Sequence, residues 1–372
     1  MTSHQGRIAS TLPVDFLYKF MLDVFITAGV PADDAKTCAD VLIAADLRGI
    51  ESHGIGRLKM YIDRIKTGQQ IPVTQVEVIR ETPTTALVDG HHGMGMVIAS
   101  QSMQMAINKA KKFGMGSVAV RNSTHFGIDG YYARMAAEQG CIGMAFTNAR
   151  PAIAPTFSVQ PMLGTNPIAF CAPTDEDCPF LFDAATSITQ RGKFEVYERE
   201  SIEAPEGWAV NQQGKPVTNS SDVLKGLSDD TVALLPLGGA GELLAGYKGY
   251  GLATMVEILS ASLQMGQFMH GLQGFEADGS KRPFMLGHFF MAIDIEAFVP
   301  LEEFKRTTGN ILRELRAARL EPGQDRIYTA GEKEFENEKR LRVEGIPIVP
   351  SLQKDILALI QMLGLNQYQF DF

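Results

Sequence analysis

A buried strand that ends in a polar turn and a histidine is the feature that most constrains the fold. Residues 116–120 (GSVAV) are small or β-branched and predict a buried strand. A polar cluster at 121–124 ends this strand, His125 follows, and a helix-compatible segment begins near Tyr131. Ligand sites in α/β folds favour the crevice at such strand ends. His125 is therefore a candidate for proton transfer near neutral pH, with a turn-capping role as the alternative.

The composition excludes several classes of protein. The chain has 372 residues, enough for one large domain or two to three interleaved ones. A net charge of −9 argues against nucleic acid or a membrane surface as a partner. No run of 18 apolar residues occurs and no secretory signal opens the chain. The four cysteines lack CxxC spacing, which disfavours disulfides and zinc and favours the cytoplasm.

The N-terminal part predicts three helices, at residues 14–28, 31–47 and 57–67. Ser52 is a candidate N-cap for the third. If that helix reaches back far enough, His53, Arg57 and Tyr61 share one face, because they follow at intervals of four. Such a face can bind a carboxylate through the helix N-terminus, the Ser52 hydroxyl and the Arg57 fork. The alternative is a capped surface helix with a coincidental basic face.

Two glycine-rich segments resemble nucleotide-binding loops but fail their tests. Gly93 and Gly95 lie between a strand and a helix, but Ile98 occupies the third position of G-x-G-x-x-G/A, and no acidic residue ends the next strand. We therefore predict a tight βα turn. Residues 241–248 approach a phosphate loop, but one extra residue precedes Lys248 and Gly249 replaces the required Ser or Thr. Lys248 could still hold a pyrophosphate or a ribose.

The remaining pattern predicts an α/β body with helices at both chain ends. Strands fall between 76 and 294, including a central strand at 287–294. Its His288 is expected to be a packed or an interface residue rather than a ligand. Residues 202–222 are predicted to form an irregular excursion anchored by Trp208. A helix at 252–263 is apolar on every face, so it is predicted to be deeply buried. Residues 267–282 are predicted to form a mobile loop. We expect a helical domain from residues 1–75 plus 296–372 and a central α/β domain at 76–295.

Five motifs together resemble one family. They are DLRGIESHG at 46–54, RNSTHFG at 121–127, LGTNP at 163–167, FDAATS at 182–187 and GYKGYG at 246–251. In this order they resemble the type 2, non-Rossmann malate/L-lactate dehydrogenases, over about residues 14–365. The segments EVYERESIEAPEGWAVN and LLPLGGAGELLAGYKGYG resemble the malate dehydrogenases of that family most.

The resemblance implies a fold and a reaction. The fold is the malate/L-sulfolactate dehydrogenase-like one, a mixed sheet with a helical layer from both chain ends. The reaction is NAD- or NADP-dependent interconversion of a 2-hydroxy acid and its 2-keto acid, with malate foremost and lactate second. Members are typically homodimers with residues of both subunits near each site. Reduction of a cyclic imine or another 2-keto acid is the main alternative. A metal-dependent hydrolase is a remote alternative, because the histidines, including His91 and His92, form no HExxH-type pair. A non-catalytic binding module is a still more remote alternative.

The resemblance also assigns roles to residues. His125 is the proton acceptor, with His53 and Asp183 as rivals or helpers, and no metal is involved. The substrate is lined by Ser52, His53, Arg57 and Tyr61. The cofactor contacts fall on Asn148, Asp183, Ala184, Ala185, Lys248, Gly331, Glu332 and Lys333. The chain departs from the family pattern at Ala184, where methionine is usual, and at Ala330, where proline is usual. Neither departure affects the implied reaction.

Overall fold

A seven-stranded mixed sheet forms the centre of the computed structural model, which describes residues 10–372. The strands run in the order β2-β3-β4-β10-β5-β6-β7, and only β3 and β4 are parallel neighbours. Two further pairs, β1–β11 and β8–β9, are antiparallel. The strands are β1 Ser10–Leu12, β2 Glu77–Glu81, β3 Thr85–Asp89, β4 Met115–Ser123, β5 Cys141–Thr147, β6 Ile168–Ala172, β7 Phe180–Ala184, β8 Ala209–Asn211, β9 Val232–Leu234, β10 Leu286–Asp294 and β11 Ile346–Ile348.

Eleven α-helices accompany these strands in the described part of the chain. Helices α4 and α5 pack on the central strands, as does α8. No helix within residues 10–372 has the length and apolar character needed to cross a bilayer. The helices are α1 Val14–Thr27, α2 Ala32–Leu47, α3 Leu58–Lys66, α4 Gly95–Phe113, α5 Asp129–Ala137, α6 Arg191–Glu200, α7 Ser220–Ser228, α8 Gly246–Ala261, α9 Leu301–Arg316, α10 Glu332–Glu344 and α11 Pro350–Leu363.

The first and last segments within residues 10–372 pack together, as predicted. Strand β1 pairs with β11 in antiparallel register, and α1 and α3 both contact α11. Phe20 on α1 meets the rings of Tyr368 and Phe370 edge-on, at centroid distances of 5.1 and 5.3 Å. Such aromatic pairs stabilise a contact beyond the area that they bury. The helical layer is thus closed by both termini, while the exact domain boundaries stay a prediction.

The predicted central strand is confirmed. β10 lies between β4 and β5 in the middle of the sheet. Its His288 is fully buried, donates to or accepts from the Thr147 hydroxyl at 2.7 Å, and stacks on Phe126 with a centroid distance of 4.3 Å. Burial lowers the pKa of His288 to about 3. His288 is therefore a neutral, packed residue, as the sequence predicted.

Three other predictions need correction. The excursion at 202–222 is not wholly irregular, because it contains β8 and the start of α7. It shares a small separate core with α6, in which Trp208 meets Phe194 edge-on at 5.8 Å, so its anchoring role is confirmed. The loop at 267–282 contains a 3-10 helix, Met269–Leu272, whose Leu272 is buried.

Helix α8 is not buried all round. The sheet covers only one side of it, where Ala253 and Val256 are buried, and leaves Leu252, Met255 and Ile258 exposed. Ile258 keeps 53% of its surface accessible. A sequence that is apolar on every face cannot reveal which side meets the protein's own core.

Candidate active site

The turn that carries His125 is fixed by close backbone packing. Strand β4 extends to Ser123, three residues further than predicted, and α5 begins at Asp129. Thr124 Oγ1 donates to the Gly93 carbonyl at 2.8 Å and accepts from the Gly95 N–H at 2.9 Å. A Cβ on Gly95 would lie 2.2 Å from the Thr124 carbonyl oxygen. The two glycines thus allow α4 to approach the His125 turn, which agrees with the predicted βα turn.

His125 is partly buried and is oriented through its Nδ1 atom. The Tyr61 hydroxyl lies 2.6 Å from this nitrogen, and the Gly127 N–H points to it at 3.3 Å. A backbone N–H can only donate, so the proton of the neutral ring lies on Nε2 when the Gly127 bond is made. Burial, and then the nearby His53, Arg64 and Arg57, hold the pKa of His125 well below its usual value. His125 is therefore neutral at physiological pH.

His53 lies against His125. The two imidazole rings stack with a centroid distance of 5.6 Å and an interplanar angle of 20°. Ser52 Oγ is 2.8 Å from His53 Nδ1. Burial, followed by the charge of Arg57, lowers the pKa of His53 to about 4. The structure therefore brings both candidate histidines together in neutral form.

The segment before α3 does not have the predicted geometry. Helix α3 begins at Leu58 and is preceded by a short 3-10 helix, Ile55–Arg57, so Ser52 is no N-cap and His53 lies outside the helix. The Ile55 N–H, at the start of the 3-10 helix, instead donates to Oδ2 of Asp46 on α2 at 2.8 Å. Gly54 has no room for a side chain, since its Cβ would lie 1.8 Å from Asp46 Oδ1. A distant side chain therefore replaces the local cap.

Arg57 nevertheless lies beside Ser52 and near Tyr61. Its Nε donates to the Ser52 carbonyl at 2.6 Å, which leaves the terminal nitrogens for other anions. Glu195 on α6 approaches one of these nitrogens at 3.8 Å, and Gln190 contacts the Ser52 hydroxyl at 3.4 Å. The contacts thus gather the predicted substrate residues Ser52, His53, Arg57 and Tyr61 around His125, with the start of α6 as a cover.

A second group of acids lies beyond the His125 turn. Asp183, at the end of β7, accepts the Gly130 N–H at 2.7 Å. Its side chain opens to a recess, yet the surrounding protein displaces enough water to raise the pKa of Asp183 to about 6. Asp129 is buried, and its Oδ2 has no hydrogen-bond partner among residues 10–372. Burial, followed by the charge of Asp183, raises the pKa of Asp129 well above its ordinary value. Asp129 therefore keeps its proton to a higher pH than an ordinary aspartic acid.

The recess at Asp183 is a cavity of about 250 Å³. Among its lining residues are Arg48, Asp183, Gly331 and Lys333. Gly331 has φ +91°, and a Cβ there would lie 3.0 Å from Leu181, so a side chain would narrow the recess. The cationic side chains of Arg48 and Lys333, the carboxyl group of Asp183 and the accessible backbone of Gly331 can bind a polar ring that carries a ribose phosphate. The residues present therefore fit one end of a nicotinamide dinucleotide.

The other predicted cofactor residues lie in different surroundings. Asn148 is buried, and its amide bonds the backbone of Ser260, Gln267 and Gly287. Glu332 turns inward and accepts from Thr329, Arg316 and Arg326. Lys248 is exposed at the start of α8, 5.9 Å from the centre of the Tyr247 ring. Ala184 and Ala185 directly follow Asp183 and are half-buried. The roles of these residues stay predictions.

The glycine-rich loop that leads to Lys248, residues 234–246, nonetheless adjoins the end of β7 that carries Asp183. The Leu237 N–H donates to the Thr186 carbonyl at 2.8 Å. Gly249 packs so closely on Leu237 that a Cβ would lie 2.3 Å from its carbonyl oxygen. This glycine therefore lets the first turn of α8 lie beside the segment 183–187, as an extended ligand spanning both would require.

Sequence reasoning missed four residues of this region. Asp46 holds the loop of Ser52 and His53, and Asp129 is the buried acid beside Asp183. Arg64 and Arg150 supply further positive charge. Of these four residues, only Arg64 could have been found from the sequence pattern, because it follows Arg57 and Tyr61 at helical spacing. Within residues 10–372 no three His, Cys, Asp or Glu side chains are grouped as a metal site would require.

The chain is similar to known dehydrogenases along nearly its whole length. The family model described as malate/L-lactate dehydrogenase matches residues 12–357. The chain is 47% identical to a malate dehydrogenase of Pyrococcus horikoshii, over 95% of this chain and 96% of that one. It is 39% identical to an L-sulfolactate dehydrogenase of Methanocaldococcus jannaschii, over 94% and 96%. A crystal structure of malate dehydrogenase from Entamoeba histolytica superposes with a TM-score of 0.94 at 43% identity, covering 98% of this chain and 99% of that one.

Fold and site together define an oxidoreductase of the non-Rossmann dehydrogenase class, which uses a nicotinamide cofactor. The chain belongs to the malate/L-lactate dehydrogenase family. The predictions of family, fold class and enzyme class are thereby confirmed.

Proposed function

We propose that the enzyme interconverts malate and its 2-keto acid. The observation that carries this proposal is the cluster of Arg57, Ser52 and Tyr61 around a neutral His125. Oxidation of a 2-hydroxy acid requires a base for the hydroxyl proton and a cation for the carboxylate. His125 and Arg57 have these roles. The names of the most similar relatives, malate dehydrogenases, support malate over lactate.

His125 exchanges the proton at Nε2. In the direction of oxidation, Nε2 accepts the proton of the substrate hydroxyl while Nδ1–H donates to the Tyr61 oxygen. In the direction of reduction, the imidazolium formed in this way donates its Nε2 proton to the carbonyl oxygen, while Nδ1–H still donates to the Tyr61 oxygen. The Tyr61 hydroxyl accepts from Nδ1–H in both directions of the reaction, and it donates to Nδ1 in the resting tautomer, because a hydroxyl rotates between donor and acceptor. Burial raises the pKa of Tyr61, which therefore stays protonated in both directions.

The bound nicotinamide supplies hydride transfer. Asp183, Gly331 and Lys333 would hold its ring and ribose end, with Ala184 and Ala185 beside them and Lys248 further along the same side. Asn148 and Glu332 would act indirectly, because their hydrogen bonds hold the backbone segments around the bound cofactor. His53 and Asp183 stay the rivals of His125 for the proton.

An absorbance assay tests this function directly. Purified enzyme is given malate with NAD or with NADP, and formation of the reduced cofactor is followed. We expect reduction with malate, and the faster cofactor identifies the physiological one. Failure with malate and with lactate, combined with oxidation of reduced cofactor by a cyclic imine, would favour the reductase alternative.

We also propose a homodimer located in the cytoplasm. The exposed face of α8, with Leu252, Met255 and Ile258, supports an interface, because large contiguous apolar patches mark contact sites. Four free cysteines suit a reducing compartment. Light scattering over a dilution series should give twice the chain mass of 40.6 kDa. Ile258→Glu should lower that mass, whereas Val343→Glu, on exposed α10, should not. An active native monomer would contradict the dimer.

A further inference from the structure

Four arginines from three separate segments lie near one another beside the His125 site. Arg57 and Arg64 belong to the segment of α3, Arg150 follows β5, and Arg191 begins α6. Arg57, Tyr61 and Arg64 are spaced by four and three residues, so their side chains share one face of the helix. Tyr61 contacts His125, which places this face at the site.

The arginines repel one another. Burial, and then neighbouring Arg150 and Arg57, lower the pKa of Arg64 to about 10, although Tyr61 opposes this. The pKa of Arg150 is also lowered, by burial and then by Arg191 and Arg57, against a weaker opposing effect of Asp230. A protein with a net charge of −9 thus concentrates positive charge at one place. Such a cluster is stabilised by a bound anion.

In the part of the chain that the structure describes, two of the four arginines have a carboxylate partner. Glu195 lies 3.3 Å from Arg191 and 3.8 Å from Arg57. Arg64 lies 4.3 Å above the ring of Phe284, and the described residues offer it no acceptor. Arg150 forms no ion pair or hydrogen bond within residues 10–372. Stacking on an aromatic face leaves the nitrogens of a guanidinium at its edge available for an anion.

We propose that Arg64 and Arg150 bind the second anionic group of the substrate, a distal carboxylate or sulfonate. This inference rests on the proposed oxidation of a 2-hydroxy acid. Arg57 lies beside Ser52 and binds the carboxylate next to the reacting carbon. Arg64 lies on the other side of Tyr61 along the same helical face, where the far end of the substrate arrives. The enzyme therefore selects dianionic 2-hydroxy acids over monoanionic ones such as lactate.

The test compares kcat/KM for malate, 3-sulfolactate and lactate in native enzyme, Arg64→Gln and Arg150→Gln. We expect the native enzyme to prefer both dianions. Each variant should lose roughly 10–150-fold on the dianions relative to lactate, which is the range of one charge-assisted hydrogen bond. The readout is kcat/KM for each dianion divided by kcat/KM for lactate. A ratio is needed because the Arg64 change also raises the pKa of His125, which affects all three substrates alike.

Arg80→Gln, on the exposed strand β2, is the matched control and should leave the ratio unchanged. Melting temperatures identify a misfolded variant, and Arg150, in the loop after β5, gives a second variant that does not depend on the packing of α3. An unchanged ratio in both variants, or equal native activity on lactate, would overturn this inference alone. No turnover of any of the three acids would overturn the proposed function as well.

Discussion

The hydroxyl of Tyr61 lies 2.6 Å from Nδ1 of His125, across 64 residues of sequence. Tyr61 is fully buried on α3, whereas His125 lies partly open in the turn between β4 and α5. The contact fixes the orientation of the imidazole and leaves Nε2 for the substrate. A buried phenol thus acts on the substrate through the histidine.

Tyr61→Phe removes this bond while keeping the ring. A single hydrogen bond contributes about 0.5–1.5 kcal/mol, so kcat/KM for malate should fall roughly 2–10-fold. The control is Tyr18→Phe, which removes a bond of 2.9 Å to Asp40 elsewhere. Equal activities of the two variants in steady-state assays would show that the Tyr61 bond has no part in catalysis.

The pH dependence of oxidation follows from the lowered pKa of His125. Burial, His53, Arg64, Arg57 and His288 all disfavour its protonation. The neutral base therefore persists as pH falls through about 6.5, where an ordinary histidine would be half protonated. We expect kcat/KM for malate to stay level across that value and to decline only in more acidic buffer. Arg64→Gln should move the decline to higher pH. A native decline centred near 6.5 would contradict this.

Gly95→Ala tests the packing that holds the His125 turn. The new Cβ would meet the carbonyl oxygens of Thr124 and His125, at 2.2 and 2.6 Å. Backbone cannot yield as a side chain does, so we expect a loss of about 1–3 kcal/mol in the free energy of unfolding. Gly251→Ala on α8 has no heavy atom within 4 Å and serves as control. Indistinguishable unfolding curves for the two would refute the role of Gly95.

Much of the fold was predictable because it depends on local pattern. β10 and the turn at His125 are marked by apolar runs and polar breaks, and the motif set indicated the family. Ser52 was wrongly predicted as a cap, because the actual acceptor, Asp46, belongs to the preceding helix and only the folded chain brings it to Ile55. Periodicity along one segment carries no information about such partners.

The charge cluster could not be predicted for the same reason. Arg64 and Arg150 are separated in sequence by two helices and four strands of the sheet, and only the folded chain brings their charges close enough to interact. The exposed side of α8 is a further case. Its residues are apolar on all faces, so only the packed structure distinguishes the side that meets the sheet from the side left open.

Turnover by His125→Asn is the most direct measure of the central claim that His125 transfers the proton. Asparagine keeps a polar side chain of similar reach but cannot act as a base at neutral pH. We expect kcat for malate oxidation to fall roughly 10²–10⁴-fold, the usual contribution of a general base. Melting temperature and cofactor binding should remain near those of the native enzyme. A folded variant that binds cofactor and turns over at the native rate would contradict the claim and assign the proton to His53 or Asp183.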